Sequence, residues 1–490
     1  MTRLRRRLVD LAVFAVALAL LAMLAGIFEI DSGKLSGSPH YVWQVQSWLD
    51  GHFDLGPSPG PQVVDDKITV NGHYYLMYPP LPSLLMLPFV WLMGDGFSDI
   101  WFTWGVAALN VVLVFRTLEV LRHRRITRRS TLENLVLAAV FGFGTISLWL
   151  SLGGKVWFTG QLMSTTAILL VLHSTVCRRW WLAWLGVGLT ALTRTTEVAV
   201  GIVPALVYLR DLGVGRRTAG RWNFRPARWP SLREIAATVV PLAICGAILL
   251  ARNKLYFGSV TSTGYDIHTA NDVRVFPYGL MNWHYVWPNF VIDFLRFPDF
   301  HFTGVNDAHP VMDLRGDGMG TSIFFSTPLM LLFLVTSQGK AADRWMRTVM
   351  WTGTAALFLP VIMFQAAGYF QVGARYLLPI YPTLFLLLAM RAERIGARWL
   401  VLGGLGIFSN VLLAKAFWSG PPSSQFAWTT AGIVTAVCVL AYWLLALTGR
   451  TPAPTGGDGP ATDDGPAAHR DGLHGVEAGT RPGAGPVPSP

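Results

Sequence analysis

The residues best suited to chemistry gather in three places. The first is the stretch 29–99, EIDSGKLSGSPHYVWQVQSWLDGHFDLGPSPGPQVVDDKITVNGHYYLMYPPLPSLLMLPFVWLMGDGFSD, which follows the first apolar run. It holds Glu29, Asp31, His40, Asp50, Asp54, Asp65 and Asp66. A carboxylate or imidazole fixed near a membrane surface can act as a general base on a sugar or lipid hydroxyl. Any one of these groups can equally be an ordinary solvated loop residue. Position favours Asp31, because the preceding helix fixes its depth, whereas Asp50 and Asp54 lie on a glycine-rich stretch. Shielding by Trp43 or Trp48 would raise its pKa toward working pH. His40 and Asp66 are the other candidates for the base.

The second group is cationic. Lys155 lies in GGKVWFTG, Arg252 and Lys254 end the apolar run 234–251, and Arg375 lies in GYFQVGARYLLPIYP. An arginine presents a planar fork of donors to phosphate oxygens, and Lys155, Arg252, Lys254 and Arg375 together suit a lipid phosphate. Arg375 opens a predicted helix, whose free N–H groups would add to anion affinity. The competing reading is snorkelling toward lipid headgroups. Tyr41, Tyr75, Tyr265 and Tyr376 stand beside these charged groups and are candidates to line the substrate site. The third place is Arg194 and Glu197, three apart within the apolar stretch 180–210. An ionisable pair at membrane depth is a functional candidate, and a structural ion pair at the apex of a helical hairpin is the alternative.

The elements that must position these groups are helices in a membrane. The chain of 490 residues is 52% hydrophobic and only 14% charged, against about 25% charged in soluble globular proteins. Many apolar runs approach the twenty residues that a bilayer requires. The fold class is an all-α polytopic membrane protein, with about twelve crossings and a long first outer loop carrying juxtamembrane helices. The net charge of +11 comes from short clusters, RLRRR (3–7), RHRRITRR (122–129), the pair 178–179 and the arginine-rich 210–233. Such clusters act as topology anchors on the cytoplasmic side and do not indicate nucleic acid. Cys177, Cys245 and Cys438 lie in or beside apolar helices and imply no disulfide framework.

The basic start puts the N-terminus inside, so 8–28 is a retained anchor running outward and 29–98 is external. If both 79–94 and 99–121 crossed, the basic run 122–129 would lie outside. The run 79–94 is broken by Pro79, Pro80, Pro82 and Pro88, so it is expected to lie in the outer interface. Crossings are then expected at 8–28, 99–121, 132–152, 161–177, 180–194, 197–210, 234–251, 322–338, 346–366, 374–391, 398–417 and 426–448. Both termini are inside, and 252–321 forms a second outer loop. The segment YVWQVQSWL (41–49) reads as a short amphipathic helix at headgroup level. Domain 1–449 is transmembrane, and 450–490, rich in Pro, Gly, Ala and Asp, is expected to be a disordered cytoplasmic tail.

No P-loop, nucleophile elbow, zinc-ligand spacing or Rossmann glycine pattern is present. The long first outer loop, the stretch GHYYLMYPPLPSLL (72–85), YFGSVTSTGY (256–265) and QVGARYLLPIYP (371–382) resemble the GT-C superfamily of integral membrane glycosyltransferases. The bacterial branch related to protein O-mannosyltransferases and lipid A aminoarabinose transferases is the most similar. The resemblance spans roughly 1–420. It implies a bacterial plasma-membrane enzyme with a polyprenyl-phosphate sugar as donor. Transfer would be inverting, to a lipid, glycan or protein acceptor on the extracytoplasmic face, with a divalent metal left open. Family members often carry Asp-Glu just before the aromatic helix of the first loop. This sequence has Ser38, Pro39 and His40 there. The rival class is a twelve-helix secondary transporter, which predicts an internal repeat and a midplane site. No repeat is seen. A non-catalytic lipid-binding assembly protein is the third reading.

Overall fold

The computed structural model describes residues 3–55, 67–218, 221–271, 277–298, 301–303, 311–313, 318–337, 343–365, 367–368 and 371–448. The expected tail 450–490, together with Asp65, Asp66 and Tyr369, lies outside them. Contacts divide the chain into Met1–Leu447 and Thr448–Pro490, and the helical bundle belongs to the first unit.

Helix α1 (Arg3–Ile27) is followed by the segment expected to form the first outer loop. That segment holds α2 (His40–Leu49), a hairpin of β1 (Lys67–Val70) and β2 (His73–Leu76), and α3 (Leu81–Met93). The bundle continues with α4 (Asp99–His123), α5 (Thr131–Phe143), α6 (Ser147–Ser151), α7 (Val156–Val176), α8 (Trp180–Ala191) and α9 (Ile202–Asp211). Next come α10 (Leu232–Phe257), α11 (Tyr265–Asn271), α12 (Val286–Phe290) and α13 (Ile323–Ser326). The last helices are α14 (Arg344–Ile362), α15 (Tyr381–Ala389), α16 (Ala397–Ser419) and α17 (Ser424–Thr448).

Six described helices are long and apolar enough to cross a membrane: α1, α4, α7, α10, α16 and α17. The protein is a membrane-embedded helical bundle. The other expected crossings are helical but shorter or broken. Thus 132–152 divides into α5 and α6 around Gly144, and 180–210 divides into α8, a tight turn at Thr195–Gly201 and α9. The run 374–391 opens as a 3₁₀ stretch, Arg375–Ile380, before α15. Helix α10 reaches Phe257, so the segment expected as the second loop leaves the helix at Gly258 and not at residue 252. Gly258 ends it in the left-handed conformation, φ 73°, that a helix stop favours.

Local sequence explains several of these boundaries. Ser130 with Glu133, and Ser231 with Glu234, form reciprocal capping boxes that start α5 and α10. Polar side chains then tie the helices where no water is available. Asn110 of α4 donates to the Leu162 carbonyl of α7 at 2.9 Å and accepts from Thr166 at 2.6 Å. Thr103 and Thr159 share a 2.7 Å bond between the same two helices.

The outer segment is a compact cap. Helix α2 buries Tyr41, Val42 and Val45 in a cluster with Met86, Val90 and Phe97, and Gln44 accepts from Ser83 of α3. The expected amphipathic helix forms, and the apolar face that includes Tyr41, Val42 and Val45 packs inward. The cap is tied down by Asp99, at the first turn of α4, which accepts the Ser36 N–H at 2.8 Å and the Ser36 hydroxyl at 2.6 Å. Tyr256 of α10 accepts from Trp48 at 2.9 Å, and Val156 N–H donates to Ser38 at 3.0 Å. Asn71-Gly72, both at positive φ, close the β1–β2 hairpin in the two-residue turn such pairs favour. Thirteen-residue α3 is only about 20 Å long, short of the roughly 30 Å hydrocarbon core. It presents Trp91, Leu92 and Phe89 outward.

Asp99→Ala would orphan two buried donors of Ser36. The expected cost is about 1–3 kcal/mol per donor, read as a lower unfolding midpoint in detergent, with Asp99→Asn milder. An unchanged midpoint for the alanine variant would show that the cap does not depend on this tie.

Candidate functional site

A cavity of about 300 Å³ lies beneath the cap. Its walls come from Tyr41 of α2, the 77–79 turn, the start of α7 (Val156, Trp157 and Gly160), the 193–196 turn, Tyr265 and His268 of α11, and Tyr376. It sits at the helix ends, since α7 contributes only its first residues. Gly160 is required by this approach, because a Cβ there would come 2.7 Å from the Tyr41 hydroxyl oxygen. Three of the four expected substrate tyrosines, Tyr41, Tyr265 and Tyr376, face the cavity. Tyr75 does not; it packs on Tyr256 at 5.2 Å and Phe257 at 6.4 Å.

The cavity wall includes Arg194, whose Nε lies 2.8 Å from Oε1 of buried Glu197. Glu197 also accepts the Ser164 hydroxyl through its other oxygen. The Arg194 guanidinium lies 5.3 Å from the Tyr376 ring. The ion pair stands at the turn between α8 and α9, with Arg194 in the cavity wall.

Beside the cavity stand Lys155 and Arg375. The turn that presents Lys155 depends on two glycines. At Gly153 a Cβ would strike the Trp418 ring, 1.8 Å away, and Gly154 sits at φ 66° with the Ile100 backbone 2.9 Å from its Cβ position. The Lys155 ammonium lies 5.5 Å from the Trp418 ring and 5.7 Å from Phe417. The Arg375 guanidinium lies 5.1 Å from Tyr376 and 5.6 Å from Phe158, and the residue is 6% exposed. Arg375 Nε is buried without an acceptor. Among the described residues neither cation has a carboxylate within ion-pair distance. Burial first, then the Arg375 charge, lowers the Lys155 pKa. Two cations sharing a partly dry site favour an anion between them. The helix-start contribution expected behind Arg375 is not available from its own N–H, which donates to Gln371 Oε1 at 3.1 Å.

Among the described residues, none of the remaining expected ones lines the cavity. Arg252 is buried but committed: it donates to the Leu76 carbonyl and, at 3.0 Å, to that of Tyr78, and stacks 4.7 Å from Tyr256 and Phe257. It fastens the cap to α10. Lys254 is exposed and donates to the Gly258 carbonyl at 2.8 Å, closing the end of α10. Neither stands beside the Lys155–Arg375 pair. Asp31 is exposed and paired with Lys34 at 2.8 Å; the Lys34 and Gly33 hydrogen bonds lower its pKa, opposite to the shielding expected from Trp43 or Trp48. His40 is sealed between Trp43 (5.3 Å) and Trp157 (6.0 Å). Asp66 lies outside the described residues. Among the described residues no group of three His, Cys, Asp or Glu could hold the divalent metal left open by the sequence.

His268 is a cavity residue that the sequence reading does not single out. Its signal is present in YDIH, where Tyr265 and His268 are three apart and so share one face of a short helix.

No family model matches the sequence, and no curated protein matches it. Among solved structures, the chain is similar to ArnT from Cupriavidus metallidurans, bound to undecaprenyl phosphate, with TM-score 0.45 and 15% identity. That overlay covers 89% of this chain and 72% of ArnT. It is also similar to the Archaeoglobus fulgidus oligosaccharyltransferase in the apo form, with TM-score 0.41 and 12% identity over 85% of this chain and 57% of that one. Both scores lie below one half, and neither decides what this chain does.

Removing one member of the Arg194–Glu197 pair leaves a buried charge. Arg194→Met is expected to cost about 3–5 kcal/mol, and Arg194→Met with Glu197→Gln much less. Thermal unfolding in detergent separates the two. Equal losses would show that the pair contributes little as a pair.

Proposed function

We propose that the protein is a membrane glycosyltransferase of the GT-C kind, taking a polyprenyl-phosphate sugar as donor and a hydroxyl of a lipid, glycan or protein as acceptor. The observation that carries this reading is the Lys155–Arg375 pair. Two cations without a carboxylate partner among the described residues stand among aromatic rings at the helix ends, beside an aromatic and polar cavity. A phosphate joined to an apolar chain answers each feature: the anion meets the cations, the chain lies along the bundle, and the sugar enters the cavity. A transporter calls for a site at the bilayer midplane, whereas this cavity takes only the first turns of α7.

In this reading the phosphate rests on Lys155 and Arg375, which also stabilise the charge that develops on the leaving phosphate. The sugar anomeric carbon is attacked directly by the acceptor oxygen, inverting its configuration. The acceptor proton needs a base inside the cavity. Asp31 is solvent-exposed beside Lys34, so the reading assigns the base to His268. A second reading, a protein that binds the polyprenyl phosphate without transfer, is favoured by the cavity lining, which contains no Asp or Glu among the described residues.

Donor binding and turnover distinguish the two. Arg375→Lys keeps the charge but loses the fork, and Lys155→Gln loses the charge; both should weaken polyprenyl-phosphate binding about tenfold or more. His268→Ala should lower transfer by about 10²–10⁴ with donor binding retained, and Asp31→Asn should turn over normally. Loss of transfer in Asp31→Asn alone returns the base to the first loop. Donor binding with no transfer to any acceptor selects the second reading.

The same reading sets the protein in a bacterial plasma membrane with both termini cytoplasmic and α3 in the outer interface. With the three native cysteines replaced, Gly96→Cys should react with an impermeant maleimide from outside and Arg128→Cys only from inside. Reaction of Arg128→Cys from outside would mean that α3 crosses.

A further inference from the structure

A second polar cavity, of about 320 Å³, lies at the opposite end of the bundle, between the start of α1, the end of α4 and the end of α7. Helix α4 carries both sites: its first residue holds the cap, and its last turn lines this cavity. Its 25 residues put about 37 Å between them. The two are separate sites on opposite membrane faces, and the second is independent of any glycosyltransferase activity at the first.

The charge of this cavity is lopsided. Arg6, Arg116, Arg124 and Arg179 line it, against Asp10 and Glu119. Both carboxylates are engaged. Asp10 lies 3.5 Å from Arg116. Glu119 accepts from Arg122 at 2.9 Å, Asn134 at 2.7 Å and Thr131 at 3.3 Å. Among the described residues Arg6, Arg124 and Arg179 have no carboxylate partner. Topology anchors alone would need no cavity, because a flat basic rim serves equally well. Here the three arginines come from α1, the end of α4 and the start of α8, and they surround an inlet with Phe115, Val9 and Val120 in its walls. On the same turns α1 turns Leu8 and Leu11 outward, where acyl chains would lie.

We propose that this cavity binds the phosphate headgroup of an anionic phospholipid from the leaflet at that end. Three guanidinium groups meet the phosphate oxygens, the aromatic and aliphatic wall takes the glycerol, and the acyl chains run along α1. A basic pocket between transmembrane helices on the cytoplasmic side suits such headgroups. The volume fits a headgroup and no more.

Cys177 lines the cavity and is half-buried, so it reports occupancy. The test uses the full chain with Cys438→Ser, reconstituted in nanodiscs of phosphatidylcholine with or without phosphatidylglycerol. The rate of maleimide modification of Cys177 is followed by peptide mass. The anionic lipid should slow modification about tenfold, as a site filled nine-tenths of the time requires. Arg6→Gln, Arg124→Gln and Arg179→Gln together should abolish the difference between the two lipids. Arg124→Gln alone, which leaves the other anchors in place, should reduce it. Equal rates in the two lipids for the unaltered arginines would overturn the proposal, as would full protection in the triple variant. Inorganic phosphate added to phosphatidylcholine nanodiscs should give no protection. Protection there would uphold the phosphate chemistry but overturn the lipid as its source.

Discussion

A polar segment some seventy residues long stays on top of an apolar bundle only if its buried polar groups find partners there. Asp99 supplies the first partner, and much else depends on it. It ties Ser36 to the first turn of α4, and the Ser38 carbonyl then meets the N–H of Val156 at the start of α7. This fixes where α2 begins. Helix α2 in turn carries Tyr41 into the cavity and Gln44 into the Ser83 hydroxyl, at 2.7 Å. A second set of ties, Arg252 on the Leu76 and Tyr78 carbonyls and Tyr256 under Trp48, closes the other side. The cap is a roof held at both edges, and the cavity is the space left under it.

The cost of the site is electrostatic. Lys155 and Arg375 repel one another and are both partly desolvated, and the described residues offer neither a carboxylate. Structural cations in this bundle are treated differently. Arg129, equally buried, lies over Trp399 and donates to the carbonyls of Ala389 and Leu388, with Glu133 at 3.5 Å. Arg391 has Glu393 and the Leu332 carbonyl. A buried arginine in this protein is normally given oxygen atoms. Among the described residues the Arg375 guanidinium donates to no oxygen, whereas those of Arg129, Arg252 and Arg391 each do, and that contrast supports the proposed anion site.

The bundle was legible because length and apolarity decide membrane crossing almost alone. The runs behind α1, α4, α7, α10, α16 and α17 could be read directly, and proline content marked α3 as the short one. The internal breaks were less legible. Nothing in RYLLPIYP says that the first six residues wind more tightly than the rest, and α5 ends at Gly144 ahead of α6. The β1–β2 hairpin was readable in ITVNGHYYL, where Asn-Gly divides two alternating segments, but the apolar signal on either side is stronger and masks it. The site was half legible. Residue type and expected membrane side selected Lys155, Arg375 and three tyrosines, which the fold gathers around one cavity and which the proposed function uses. The same two criteria also selected Arg252 and Lys254, because sequence shows which cations lie at a face and not which already have acceptors.

That difference explains why Arg252 and Arg375 diverge although both are arginines at the same end of the bundle. Arg252 sits in the penultimate turn of α10, opposite the segment between β2 and α3. There the carbonyls of Leu76, at the end of β2, and of Tyr78, just before Pro79, face it. The Arg252 guanidinium is taken up by those two carbonyls. Arg375 opens a 3₁₀ stretch whose carbonyls point along their own helix, and its neighbours are the rings of Phe158 and Tyr376. Rings shield a cation and attract it weakly, but they accept no hydrogen bond of the strength a phosphate oxygen does. Backbone carbonyls take up the Arg252 guanidinium and, among the described residues, leave that of Arg375 open, as the proposed anion site requires.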